Sequence, residues 1–94
     1  MRRRHNPESD LGPGYAHDLY EFEADGVIVR ARSYTHDSEE AHFLGKTTHG
    51  ESTLVTVSDF DSQLMQAALR HLRSEGKQSI TFLSEEAEGY APIP

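Results

Sequence analysis

The clearest pattern in the chain is an alternation of apolar and polar residues on either side of Asp25-Gly26, in the segment YEFEADGVIVRARSY. Alternation with period two marks a strand with one buried face, and Asp-Gly between two such runs suits a two-residue type I′ turn. A hairpin follows. With that turn, Ala24 faces Val27, Phe22 faces Val29 and Tyr20 faces Ala31, so one face is apolar throughout. The opposite face pairs Glu21 with Arg30, Leu19 with Arg32 and Glu23 with Ile28. A slip of one residue would turn the apolar set outward, so the register is strongly specified.

Further along, the polar run Thr35 to Glu40 reads as a loop before a short third strand around Ala41 to Gly45. A break at Thr47 to Ser52 leads into the β-branched run Thr53 to Val57, a fourth strand. The segment SDFDSQLMQAALRHLRSEG then changes period. Phe60, Leu64, Met65, Ala68, Leu69 and Leu72 share one face at helical spacing. Ser58 is placed to cap this helix, Asp59 and Asp61 to complement its N-terminal dipole, and Arg70, His71 and Arg73 its C-terminal end, with Gly76 as the stop. Gln78 to Leu83 alternates as a fifth strand. The expected fold is α+β: a small, mostly antiparallel sheet of four to five strands, order β-β-β-β-α-β, with one amphipathic helix packed on one face.

Residues 1–17 hold charge, Pro7, Gly12, Pro13 and Gly14 without a periodic face, and read as a flexible N-terminal tail. Residues 18–84 form the single domain, and residues 85–94, with Glu85, Glu86, Glu88, Pro92 and Pro94, an acidic C-terminal tail. At 94 residues the chain has little core to spare, since a fold of this size removes only about 60% of its unfolded surface from water.

Composition narrows the chemistry. The formal charge is -7. Three arginines against Glu8 and Asp10 leave +1 on residues 1–17, so the remainder carries -8. That excess repels nucleic-acid phosphate and anionic lipid and favours a basic partner. The absence of cysteine excludes disulfides, thiolate metal sites and a cysteine nucleophile. Neither a signal-peptide run nor a membrane span is present, and a cytoplasmic location is expected.

Candidate motifs mostly fail on their own terms. The stretch LVTVSDFDSQL resembles the first motif of haloacid-dehalogenase-type phosphotransferases, whose two aspartates, here Asp59 and Asp61, hold magnesium and attack phosphate. Gln63 departs from that pattern, the chain is too short for the family's doubly wound sheet, and helix capping accounts for both aspartates. Gly45-Lys46-Thr47 is similar to the end of a P-loop but has Glu40 where the first glycine belongs and no helix after it. No serine sits in a G-x-S-x-G elbow. The paired Glu39 and Glu40 lie in a solvated loop with nothing to separate their acidities. On sequence this is not an enzyme, and no cofactor is expected.

Two constellations remain. His36, His42 and His49, with Glu39 and Glu40 among them, span fourteen positions and are the candidate metal ligands, although helical His spacing is missing. Arg30, Arg32 and Tyr34 share a strand face on which an aromatic ring beside arginines suits a nucleic-acid base, with Glu21 and Glu23 placed to neutralise it, which makes nucleic acid the weaker expectation. The leading expectation is a small acidic protein-binding module, a stoichiometric inhibitor of a basic partner in the manner of bacterial immunity proteins and antitoxins. Its candidate contacts are Glu21, Glu23, Asp37, Glu39 and Glu40. The alternatives are a metal- or small-ligand-binding domain at His36, His42 and His49, and a self-associating structural subunit.

Overall fold

The structure is a computed structural model that describes residues 2–9, 16–34 and 38–94. Strands β1 (Arg2–Ser9), β2 (Ala16–Ala24), β3 (Val27–Tyr34), β4 (Glu40–Thr48) and β5 (Glu51–Thr53) precede a 3₁₀ turn (Val57–Asp61) and helix α1 (Gln63–Ser74), and β6 (Ser79–Ser84) and β7 (Gly89–Pro92) follow. The sheet runs β1-β2-β3-β4-β6-β7, with β5 also paired to β4. It is an α+β fold with a mostly antiparallel sheet. Among the described residues the one parallel pair is β4 with β6.

The β2–β3 register agrees residue for residue with the alternation, from Ala24 opposite Val27 to Leu19 opposite Arg32. Asp25 and Gly26 have φ of 52° and 79°, the two positive values a type I′ turn requires. The apolar face of the hairpin, Tyr20, Phe22, Val29 and Ala31, is buried against Met65, Ala68, Leu69 and Leu72 of α1, with Phe43, Phe60 and Phe82 completing the core. The other face, open in that it bears no helix among the described residues, holds Glu21, Arg30, Arg32 and His42 half-buried.

The described residues form seven strands and not four to five: β4 runs on to Thr48, β5 begins within the expected break at Thr47 to Ser52, and other elements differ as well. Residues 2–9, read as tail, form β1, antiparallel to β2. Ladder hydrogen bonds are backbone bonds and need no apolar side chains, so RRRHNPES pairs without showing an alternation. Pro7 is compatible because β1 is an edge strand. Residues 89–92, also read as tail, form β7 on β6, and Ala91 and Ile93 pack against the core. The run Thr53 to Val57 is not a strand beyond Thr53: Val55 is buried in an irregular connection and Val57 opens the 3₁₀ turn.

The helix also starts later than expected. Thr56, not Ser58, caps the 3₁₀ turn in a capping box with Asp59. Ser62 is extended, at φ -73° and ψ 152°, and its side chain accepts the Met65 N–H, so α1 begins at Gln63. The two helical pieces let Phe60 turn into the core ahead of the helix face. β5 and β6 then share one edge of β4: β5 pairs with Lys46–Thr48 and β6 with Glu40–Phe43. No helix among the described residues is long and apolar enough to cross a membrane.

Candidate functional site

Strand directions bring the turns together. Val27 at the start of β3 pairs with Thr48 at the end of β4, and β6 is parallel to β4. The β2–β3, β4–β5 and β6–β7 turns therefore lie at one end of the sheet. The His49 N–H donates to the Gly26 carbonyl at 3.1 Å and ties the first two together. The start of α1 lies at this end as well, since Gln63 and Leu64 share a groove with Ala24 and Asp25. Exposed carboxylates gather accordingly: Asp25, Glu51 and Asp61, with Glu85, Glu86 and Glu88 on the last turn.

The groove between the hairpin tip and the start of α1 has a volume of about 510 Å³. Val27, Val29, Leu64 and Met65 supply apolar walls. A Lys46–Asp59 pair, Nζ to Oδ1 at 2.6 Å, stands within it. Lys46 faces the helix because the β3–β4 register shifts between Arg30 and Ala31, so that Ala31 pairs with Phe43 but Arg30 with Gly45. The extra residue restores lysine to the side that alternation would give to its neighbour. Gly45 suits this place, since a Cβ there would come within 3.0 Å of the Thr53 carbonyl oxygen.

Burial disfavours the charged form of Asp59, but hydrogen bonds from Lys46 and from the backbone and side chain of Thr56, with the Lys46 charge, outweigh it and hold the carboxyl below its ordinary value. Asp59 is a capping and pairing group. These contacts are those of Asp59 alone; Asp61 is exposed at the end of the 3₁₀ turn.

Of the acidic residues singled out from sequence, Glu21 and Glu23 lie apart from Glu39 and Glu40. Glu21 accepts the Arg30 Nε–H at 3.2 Å and has Arg4 at 3.9 Å, while Glu23 pairs with Arg2. Both lie on the open sheet face and are neutralised by neighbouring strands. Glu39 and Glu40 lie at the opposite end from the groove. The Glu39 carbonyl accepts the Gln78 and Ser79 N–H groups, and the Glu40 carbonyl accepts the Ser33 hydroxyl. Asp37 and His36 lie outside the described residues.

His42 and His49 are also apart. His42 is on the open face with Nδ1 2.7 Å from the Thr81 hydroxyl and its ring 4.5 Å from that of Tyr90. His49 occupies the β4–β5 turn with φ of 48°, roughly 20 Å along the strand at about 3.3 Å per residue. Among the described residues no group of three or more histidine or acidic side chains is placed to hold a metal ion.

Neither the groove nor the pairing of Lys46 with Asp59 follows from the hydrophobic pattern of the sequence. The only local signal was Gly45 interrupting the alternation of β4, which marks a bulge. No family model, curated protein or solved structure matches the chain.

Proposed function

We propose that the chain is a protein-binding module that docks a basic partner at its acidic end, as a stoichiometric inhibitor does. The observation that carries this reading is the convergence of Asp25, Glu51, Asp59, Asp61, Glu85, Glu86 and Glu88 on one end of the sheet beside an apolar-walled groove. Against them stand Lys46, which Asp59 already occupies, and Arg70, which borders an adjoining cavity with Asp25 and Asp61. Fields of this kind steer a basic partner and raise its association rate. Affinity then needs an apolar anchor in a desolvated pocket, which the walls of Val27, Val29, Leu64 and Met65 offer. This relocates the contacts from Glu21, Glu23, Glu39 and Glu40, whose side chains are either paired on the open face or at the far end.

The test compares immobilised wild-type protein with a D25N/E51Q/D61N variant and with an E39Q/E40Q control, each shown folded by its thermal transition. A basic protein retained at equal stoichiometry by the wild type and the control, released by salt and lost from the triple variant, is the expected result. A partner held equally well by the triple variant, or a solution mass that is a multiple of 10.6 kDa with no foreign partner retained, would overturn the reading.

A further inference from the structure

The open face of the sheet carries a second, separate set of groups. Arg2, Arg4 and Arg30 each meet Glu21 or Glu23. Arg32 does not. Among the described residues no carboxylate reaches it, Glu40 on the same face included, and its Nε is buried without a hydrogen-bond partner. Its position is nevertheless fixed. One terminal N–H donates to the Tyr34 hydroxyl at 3.3 Å, and the guanidinium carbon lies 5.9 Å from the centre of the Tyr34 ring.

On the neighbouring strand His42 stands directly opposite Arg32. The Thr81 hydroxyl holds the His42 ring at 2.7 Å, and Tyr90 leans on it at 4.5 Å with 36° between the planes. Tyr90 is 53% exposed. A held guanidinium, without a carboxylate among the described residues, thus lies one strand from His42, whose ring meets the exposed ring of Tyr90 reaching over from β7.

We infer that this face binds a short single-stranded nucleic-acid segment, with a phosphate on Arg32 and a base stacked on Tyr90. A guanidinium pairs with phosphate through parallel N–H donors, and a flat sheet bearing aromatic rings receives unpaired bases without requiring a deep pocket. An acidic peptide would satisfy Arg32 but would gain nothing specific from Tyr90. The protein's negative charge does not forbid the contact. Arg32 lies five residues along β3 from the β2–β3 turn, about 17 Å for an extended strand, and that is roughly two Debye lengths at physiological salt; Tyr90, two residues from Glu88, acts by stacking, which needs no positive charge.

The experiment is a fluorescence-anisotropy titration of end-labelled oligouridylate with the full chain, from about 50 to 200 mM salt. Wild-type protein is expected to bind. Tyr90→Ala is expected to weaken binding by between about five- and a hundredfold, the effect of losing one stacked base. Arg32→Gln is expected to weaken it and to flatten the slope of log affinity against log salt by about 0.7, the contribution of one single-strand phosphate contact. Thermal transitions establish that each variant folds; Tyr90 is exposed, so its variant decides the matter even if Arg32→Gln does not fold. No anisotropy change at the lowest salt, an unaltered affinity in Tyr90→Ala, or competition by polyglutamate as effective as by unlabelled oligouridylate would each overturn the inference, the last in favour of an acidic protein segment.

Discussion

Asp59 accepts hydrogen bonds from the Thr56 N–H at 2.7 Å, the Thr56 hydroxyl at 3.0 Å and the Lys46 ammonium at 2.6 Å. One carboxylate thereby closes the 3₁₀ turn and binds it to β4. Its folded-state pKa lies below the ordinary 3.8, so its contribution to stability is fully present above that value and is lost as pH falls through the folded value. Asp59→Asn is expected to cost about 1–2 kcal/mol near neutral pH, as loss of a cap and a partly buried pair does. Urea unfolding of both proteins should show that gap closing as the pH falls below 3.8 and through the lower folded value, since the wild-type carboxyl is then increasingly protonated; a gap independent of pH would mean that the aspartate charge does not contribute. Neither the pair nor its sign was legible locally, because Lys46 and Asp59 are thirteen residues apart and the register shift that turns Lys46 inward leaves no mark on the hydrophobic pattern except Gly45.

At the scale of elements, two turns are coupled. The β4–β5 turn repeats the geometry of the β2–β3 turn, with His49 at φ 48° and Gly50 at 90°, and the His49 ring lies over Gly26. A Cβ at Gly26 would come within 2.7 Å of that ring, whereas one at Gly50 meets nothing within 4 Å. Gly50→Ala therefore carries only the left-handed backbone penalty, about 1–2 kcal/mol, and Gly26→Ala is expected to lose more. Thermal or urea unfolding should rank them so, and His49→Ala introduced beside Gly26→Ala should recover the difference. Equal costs for the two glycine variants would show that the His49 ring swings aside freely. The Asp-Gly turn was legible because its chemistry is local; its partner turn was visible only as a break, since His49 rarely takes positive φ and is held there by the bond to the Gly26 carbonyl.

For the molecule as a whole, the sheet's central strands and its edges should differ in stability. β3 and β4 are paired along both sides, whereas β1 and β7 are the outermost strands. Native-state hydrogen exchange is expected to protect the amides of β3 and β4 most, up to the global unfolding free energy, and those of β1 and β7 least. Protection of β1 equal to that of β3 would contradict an edge position. Charge is segregated on the same scale. Exposed carboxylates collect at the turns, while Arg2, Arg4, Arg30 and Arg32 lie across the open face with Glu21, Glu23 and Glu40 among them, a distribution that a net charge of -7 conceals and on which the two proposed binding surfaces rest.

Sequence by itself determined the hairpin register and the helical core face, because both depend on contacts within a few residues or on a period that burial enforces: Phe22 and Val29, Leu69 and Leu72 had no other consistent side to face. It also determined that Glu21 meets Arg30. The tertiary structure alone decided that the arginine-rich start and the proline-bearing end become strands, since edge pairing uses backbone groups common to all residues. It alone decided that β6 joins β4 and not the preceding strand, and that the acidic turns share one end. Those outcomes rest on strand order and a one-residue bulge, and both are settled by how distant segments close around Phe43, Phe60 and Phe82 and not by any preference written along the chain.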